Sequence, residues 1–256
     1  GHYKLPVGIL NPGDPADFIL VKDLVHFEVS STYINGELVA HNGISNIQSV
    51  DTNPINNFDC KKIESPALAV PENEYPHKNG LIPVIEALDG QLITNKLMLA
   101  GTLQNSNWVT DTTNDILKIV VVNRYHAAPI AKAFIKNFGL THGAIASSVA
   151  HDSHNIVAVG VDDESIAAAI NLVIEAQGGV SVVSGSNETA SSKVLPLPVA
   201  GLMSAADGFE VASTYTIVDV EAKALGSKLQ APFMTLSFMA LLVIPHLKLS
   251  DKGLFI

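Results

Sequence analysis

The sequence predicts an α/β or α+β fold in which a mixed β-sheet is packed with helices and follows a smaller, separate β stretch. Three observations carry that prediction. Asn35-Gly36 and Asp89-Gly90, dipeptides that accept left-handed backbone at a tight turn, each sit between runs of strand-forming residues. The stretches Ala144 to Val149 and Ile156 to Val161 are small or β-branched almost throughout, as in strands covered on both faces. Finally, "PIAKAFIKNFG" and "DDESIAAAINLVIEAQGG" carry apolar residues at helical spacing.

Taken in order, the first strands are expected at Asp17 to Val21, Glu28 to Ile34 and Glu37 to His41, the last two joined by Asn35-Gly36. From Ile44 to Asn79 the composition turns to Asn, Pro, Ser and charge, which predicts a linker or a long irregular connection. "LIPVIEALDGQLITNKLMLAGT" reads as a hairpin about Asp89-Gly90, and "DILKIVVVNRY" as a β-branched strand. A helix is predicted from Pro129, a residue suited to a first helical turn, with Ile130, Phe134 and Phe138 four apart and Gly139 as its stop.

A second helix opens on Asp162 and Asp163, whose charges suit the positive helix end, lines up Ile166, Ile170, Val173 and Ile174, and stops at Gly178-Gly179. "VSVVSG" makes another strand, so Ile116 to Gly185 is expected to form one contiguous sheet with the two helices, Pro129 to Asn137 and Asp163 to Gln177, on its surface. Phe209 to Gly226 ends in helix-forming residues but crowds Thr and Val in its middle, and is read as a helix. Pro232 to Pro245 is a buried core element, short of the ~20 apolar residues that a membrane span needs.

With 256 residues the chain is long enough for one or two domains with a sizeable core. A net charge of −10 argues against a nucleic-acid partner, because affinity for phosphate backbone needs clustered Lys and Arg. Cys60 is the only cysteine, so no intramolecular disulfide can form and a reducing, cytoplasmic setting is expected. "GHYKLPVGIL" has neither an initiator Met nor a signal-peptide pattern, which reads as a processed start or a boundary within a longer protein.

Between the two small-residue strands lie five polar residues, His151-Asp152-Ser153-His154-Asn155. Three readings fit them: a turn whose side chains satisfy backbone groups, a metal site of imidazoles and carboxylate, or a loop that presents acid-base groups at the end of a sheet. In "NRYHAAP", Arg124 and His126 stand between a strand and a predicted helix, where they either bind an anion or shape a turn. No Gly-rich phosphate loop, Gly-x-Ser-x-Gly, Cys-x-x-Cys or His-Glu-x-x-His motif is present.

Longer segments carry more. "RYHAAPIAKAFIKNFGLTHGAIASSVAHDSHNIVAVGVDDESIAAAINLVIEAQGG", "LPLPVAGLMS" and "LGSKLQAPFMTLSFMALLVIPHLKLSDKGL" together resemble the C-terminal domain of bacterial adenine deaminases, over roughly residues 81 to 255. "GILNPGDPADFILVKDL" and "YINGELV" resemble the last strands of the small β-sandwich of the amidohydrolase superfamily. The resemblance thus implies a β-sandwich remnant over residues 1–60 and the family's C-terminal domain over 61–256.

It further implies hydrolysis of adenine to hypoxanthine and ammonia by a hydroxide activated on a divalent metal, manganese or iron. In that family the metal ligands begin with a His-x-His pair on an N-terminal barrel. The nine histidines here are His2, His26, His41, His77, His126, His142, His151, His154 and His246, and no two are separated by a single residue. The chain is therefore expected to hold no metal ligand and to be inactive alone. His151, Asp152 and His154 are the expected catalytic-site residues and Ser153 and Asn155 the expected substrate-binding ones. The implied partners are the N-terminal metal-binding barrel, adenine and further copies in a homo-oligomer, with no nucleic acid and no membrane. Two other classes remain open, a non-catalytic packing or oligomerisation module and an autonomous metal-binding domain.

Overall fold

A computed structural model of the chain describes residues 3, 5, 7–48, 50, 53–185 and 191–255. It divides into two units, Gly1–Thr52 and Asn53–Ile256.

The first unit is a four-stranded antiparallel meander of β1 (Phe18–Val21), β2 (Val29–Ile34), β3 (Glu37–His41) and β4 (Ile44–Ser45). The expected strands agree with β1 to β3 to within a residue at each end. Asn35 and Gly36 both have positive φ, 51° and 82°, the backbone that a two-residue hairpin needs. Phe18 pairs with Tyr33 across β1 and β2, their rings stacked 4.6 Å apart.

The second unit is built on strands β5 (Leu81–Ala87), β6 (Thr94–Ala100), β7 (Thr102–Gln104), β8 (Asn107–Val109), β9 (Ile116–Val122), β10 (Ala131–Lys136), β11 (Ala144–Ser147), β12 (Ile156–Gly160), β13 (Gly179–Val183), β14 (Ser192–Pro196), β15 (Lys248–Ser250) and β16 (Gly253–Phe255). Its helices are α1 (Asp163–Glu175), α2 (Gly208–Ala224) and α3 (Pro232–Phe238). Eight strands form one sheet in the order β14-β13-β11-β12-β9-β10-β5-β6, antiparallel except for the parallel pair β5 and β10. The sheet is mixed and packed with helices, as expected. The hairpin at Asp89-Gly90 forms too, but its loop runs from Leu88 to Ile93 instead of two residues.

Alternation along the central strands divides the core in two. Val120, Val122, Ala144, Ala146, Ile156 and Ala158 pack with Ile166, Ile170 and Val173 of α1 and with Leu68. Ile119, Val121, Ile145, Val157 and Val159 pack with Val218 of α2, Phe233 and Leu236 of α3 and Leu249 of β15. Every residue of β9, β11, β12 and β13 is buried, which is why these strands lack polar alternation. α1 begins where its acids suggested: the Asp162 carboxylate accepts from the Ser165 amide at 2.7 Å, and the buried Lys118 of β9 bridges Asp163 to the Leu68 carbonyl.

One expected helix is a strand. Within Pro129 to Gly139, Ala131–Lys136 form β10, bonded to β9 on one side and β5 on the other. The fourfold spacing of Ile130, Phe134 and Phe138 imitates a helical stripe, but about ten residues make a marginal helix in water, and two flanking strands offer a full ladder. Asn137 and Gly139, with φ of 74° and 72°, end the segment. Ile116 to Gly185 therefore contributes a contiguous set of strands with one surface helix rather than two. Phe209 to Gly226 is helical as read, as α2, and its cap is Asp207. Of the connection expected from Ile44 to Asn79, Ile44–Ser45 pairs with β3 as β4, while residues 53–79 are irregular with two 3-10 turns, Ser65–Leu68 and Glu72–Glu74, and Phe58, Cys60 and Ile63 pack against the α1 side of the core.

Lys248 is 1% exposed, its ammonium bonded to the carbonyls of Leu92 at 2.6 Å and Phe238 at 3.0 Å. Burial pushes its pKa down to about 8 from the ordinary lysine value of 10.5. Between those two pH values the unfolded chain binds the proton and the folded one does not, so the folded state gains as pH rises. Relative to Lys248→Met, the wild-type chain is expected to become more stable between about pH 8 and 10.5, by up to ~1.4 kcal/mol per pH unit. Urea unfolding of both proteins across that range checks this; a constant difference would mean that Lys248 keeps an ordinary pKa.

Candidate functional site

Four segments meet at one end of the large sheet: the exit of β9 at Asn123 to Tyr125, the β11–β12 loop from Ser148 to Asn155, the start of β13 at Gly179, and the turn at Ala200-Gly201 after β14. Ser148 joins three of them. Its hydroxyl donates to the Gly201 carbonyl at 2.6 Å, and its amide donates to the Gly179 carbonyl at 2.9 Å. The loop thus leaves and re-enters two fully buried strands, which fixes both its ends.

Within the loop the His151 amide donates to the Ser237 carbonyl of α3 at 3.0 Å, and the His151 ring stacks on Phe238, with centroids 5.2 Å apart. The His154 amide donates back to the Ala150 carbonyl, and His154 takes φ of 52°. That left-handed backbone costs a side-chain-bearing residue about 1–2 kcal/mol, which the surrounding hydrogen bonds offset. The two imidazoles come edge to face, 6.0 Å between centroids. Asp152 and Ser153 are exposed at the tip. Asn155 is buried, its side-chain oxygen accepting from the Arg124 amide at 3.3 Å.

His154 is the electrostatically distinct member. Burial first, then the neighbouring His151 and Arg124, hold its pKa below the ordinary imidazole value, with Asp152 opposing them. The ring is held toward its neutral form, and among the described residues its buried Nδ1 has no hydrogen-bond partner. A neutral imidazole of this kind can donate or accept one hydrogen bond to a bound group through whichever nitrogen that group reaches. Among the described residues no group of three His, Cys, Asp or Glu side chains converges as metal ligands. The Cys60 thiol is pushed up to about 11 by burial, so it is an unreactive thiol at neutral pH.

The structure therefore brings His151 and His154 together, turns Asp152 and Ser153 outward, and turns Asn155 into the wall beneath them. It also corrects the reading of "NRYHAAP". No helix follows Arg124 and His126, so no helix N-terminus is there to bind an anion, and the Arg124 donors are engaged inside the protein. Sequence reasoning missed Phe238, which supports His151, and Tyr125, whose hydroxyl donates to the Ser153 carbonyl at 2.9 Å. Both lie inside the family-like segments quoted above, but their contacts cross 87 and 28 positions of sequence and leave no local pattern. Phe238 also borders an apolar cleft of about 150 Å³ with Leu92, Met234 and Thr235. Among the described residues no helix is long and apolar enough to cross a membrane.

A mixed sheet layered by helices, with a polar loop between two interior strands, defines an α+β domain whose candidate site lies at the strand ends of the sheet. Residues 91–256 match the adenine deaminase C-terminal domain, and the chain belongs to that family. It is 50% identical over 259 residues to an adenine deaminase of Methanosarcina acetivorans, covering 99% of this chain and 46% of that protein. Adenine deaminases of Borreliella burgdorferi and Salinibacter ruber are each 46% identical over 256 residues, covering 99% of this chain and 45% of their own length. The chain thus spans about half the length of the curated relatives it matches.

Proposed function

We propose that the chain is the C-terminal part of an adenine deaminase, that the parent protein converts adenine and water to hypoxanthine and ammonia, and that the His151–Asn155 loop forms part of the wall of its purine site. One observation carries this reading: nearly the whole chain aligns with proteins named adenine deaminase, yet it accounts for less than half of each. The manganese or iron that the family implies has no matching ligand set among the described residues, so no step of the reaction is assigned to a metal held by this chain. Its ligands, and the groups that activate water, belong in this reading to the barrel in the other half of the parent.

The loop's part is to orient substrate and exclude water. A neutral His154 beside a stacked His151 offers hydrogen bonds to a purine without placing a buried charge against it. A cytoplasmic, homo-oligomeric enzyme fits the single half-buried cysteine and the exposed apolar face of α2. That face, with Phe209, Ile217 and Val220 all close to half exposed or more, also favours a second reading, a packing module with no part in the chemistry.

The two readings separate in the full-length enzyme. His151→Ala and His154→Ala are each expected to lower kcat/KM for adenine tenfold or more, about 1.4 kcal/mol of transition-state stabilisation, with metal content and melting temperature unchanged. Wild-type kinetics in both variants, or activity lost only as they unfold, would leave the loop a structural turn and favour the packing module.

A further inference from the structure

We infer that Arg124 is the positioning residue of the His151–Asn155 loop, an inference that rests on the reading of that loop as a wall of the substrate site. Arg124 is 3% exposed, and among the described residues no carboxylate lies within ion-pair distance of its guanidinium. Its donors go to neutral acceptors on four segments. Nε donates to the His154 carbonyl at 2.6 Å, Nη1 to the Asn56 side chain and the Asn57 carbonyl, both at 3.1 Å, and Nη2 to the Ala200 carbonyl at 2.7 Å and the Tyr125 hydroxyl at 3.1 Å. The Tyr125 ring lies 4.5 Å from the guanidinium carbon and the Phe58 ring 5.4 Å. Gly201, with φ of 72°, leaves the space that the guanidinium fills; a Cβ there would stand 2.6 Å from Nη1.

A buried cation without a counter-ion is an expensive way to tie backbone together, since desolvation is not offset by an opposite charge. What it supplies here is a rigid fork that holds two successive carbonyls of the loop: His154 directly, and Ser153 through the Tyr125 hydroxyl. Those carbonyls flank the peptide at which His154 enters the left-handed region, so they set the direction in which its ring points. The charge has a second effect. Burial and then His151 hold the His154 pKa low, and the Arg124 charge adds to them against the opposing Asp152. The position of His154 thereby depends on one side chain thirty positions earlier in sequence, which also contributes to keeping its ring uncharged.

The test uses this chain, with amide exchange read residue by residue and the imidazoles followed by NMR titration. Arg124→Lys keeps the cation and removes the fork. It should speed exchange of the His154 amide at least tenfold while leaving amides of β11 and β12 unchanged, with His154 still titrating low. Arg124→Gln removes the charge as well and should move the His154 midpoint upward. Should either variant fail to fold, Tyr125→Phe, which removes the hydroxyl that joins Arg124 Nη2 to the Ser153 carbonyl and leaves the Nε bond to His154 in place, is expected to give the same local loosening without moving the titration. Equal acceleration throughout the sheet, or none in the loop, overturns the inference. If the loop loosens as expected while His154→Ala in the full-length enzyme leaves adenine kinetics untouched, the substrate-site reading fails and the positioning role of Arg124 stands.

Discussion

Given adenine and Mn²⁺, the chain alone is expected to form no hypoxanthine above the uncatalysed background. Replacing an aromatic amino group by oxygen requires an activated water and a group that delivers a proton to the departing amine. At the candidate site the chain offers two imidazoles edge to face and one exposed carboxylate, and no three ligands converge among the described residues. Such a loop can orient and screen a substrate but has nothing that lowers the pKa of water. Enzymes of ordinary efficiency turn over at about 1–10³ per second, an acceleration of ~10⁶ or more, so the expected loss is nearly all of the rate. Chromatographic detection of hypoxanthine over hours decides it. Turnover near one per second would place a complete reaction centre within these 256 residues and end the proposal that the chemistry belongs to the other half.

Phe134→Ala is expected to destabilise the second unit by about 3–5 kcal/mol, a large share of a domain's net stability. Phe134 is fully buried on β10, its ring edge-on to Tyr75 at 5.4 Å. Tyr75 in turn donates to the Pro83 carbonyl of β5 at 2.8 Å and accepts from the Phe134 amide at 3.4 Å, so the ring contact and the parallel β5–β10 pairing share one anchor. Truncation leaves a cavity at that junction which the surrounding sheet can close only by shifting two strands. Chemical denaturation should show a lower midpoint with an unchanged slope. A loss below about 1 kcal/mol would mean that Phe134 is not packed between the strands as described.

Phe134 also shows why sequence patterns and structure part company at one place. Its spacing from Ile130 and Phe138 satisfies a helical stripe, and Lys132 and Lys136 between them suit an exposed helix face. In the sheet those lysines are half-buried and donate to the carbonyls of Ala69 and Asn114 instead. The segment's own preference is weak, and the ladder supplied by β9 and β5 outweighs it. The candidate loop divides in the same way. Five polar residues between two buried strands marked it at once, whereas the support of His151 by Phe238 and of His154 by Arg124 joins residues far apart in the chain.

What the sequence by itself determined is therefore everything that depends on a few neighbouring residues. Asn35-Gly36 turns β2 into β3 because both positions tolerate positive φ; Asp162 starts α1 because its carboxylate reaches an amide three residues on; β9, β11 and β12 are strands because β-branched and small side chains suit a surface packed on both faces. Tertiary structure alone decided that Pro129 to Gly139 holds a strand, Ala131–Lys136, that β5 and β10 run parallel, and that one buried guanidinium gathers residues 56, 57, 125, 154 and 200 around the loop. The physical reason is the range of the interactions. Turn and cap energies are set within a residue's own backbone neighbourhood, whereas a ladder bond or a guanidinium's partner exists only once distant segments have met, and its gain of about 1 kcal/mol or more then overrides the few tenths by which local propensities differ.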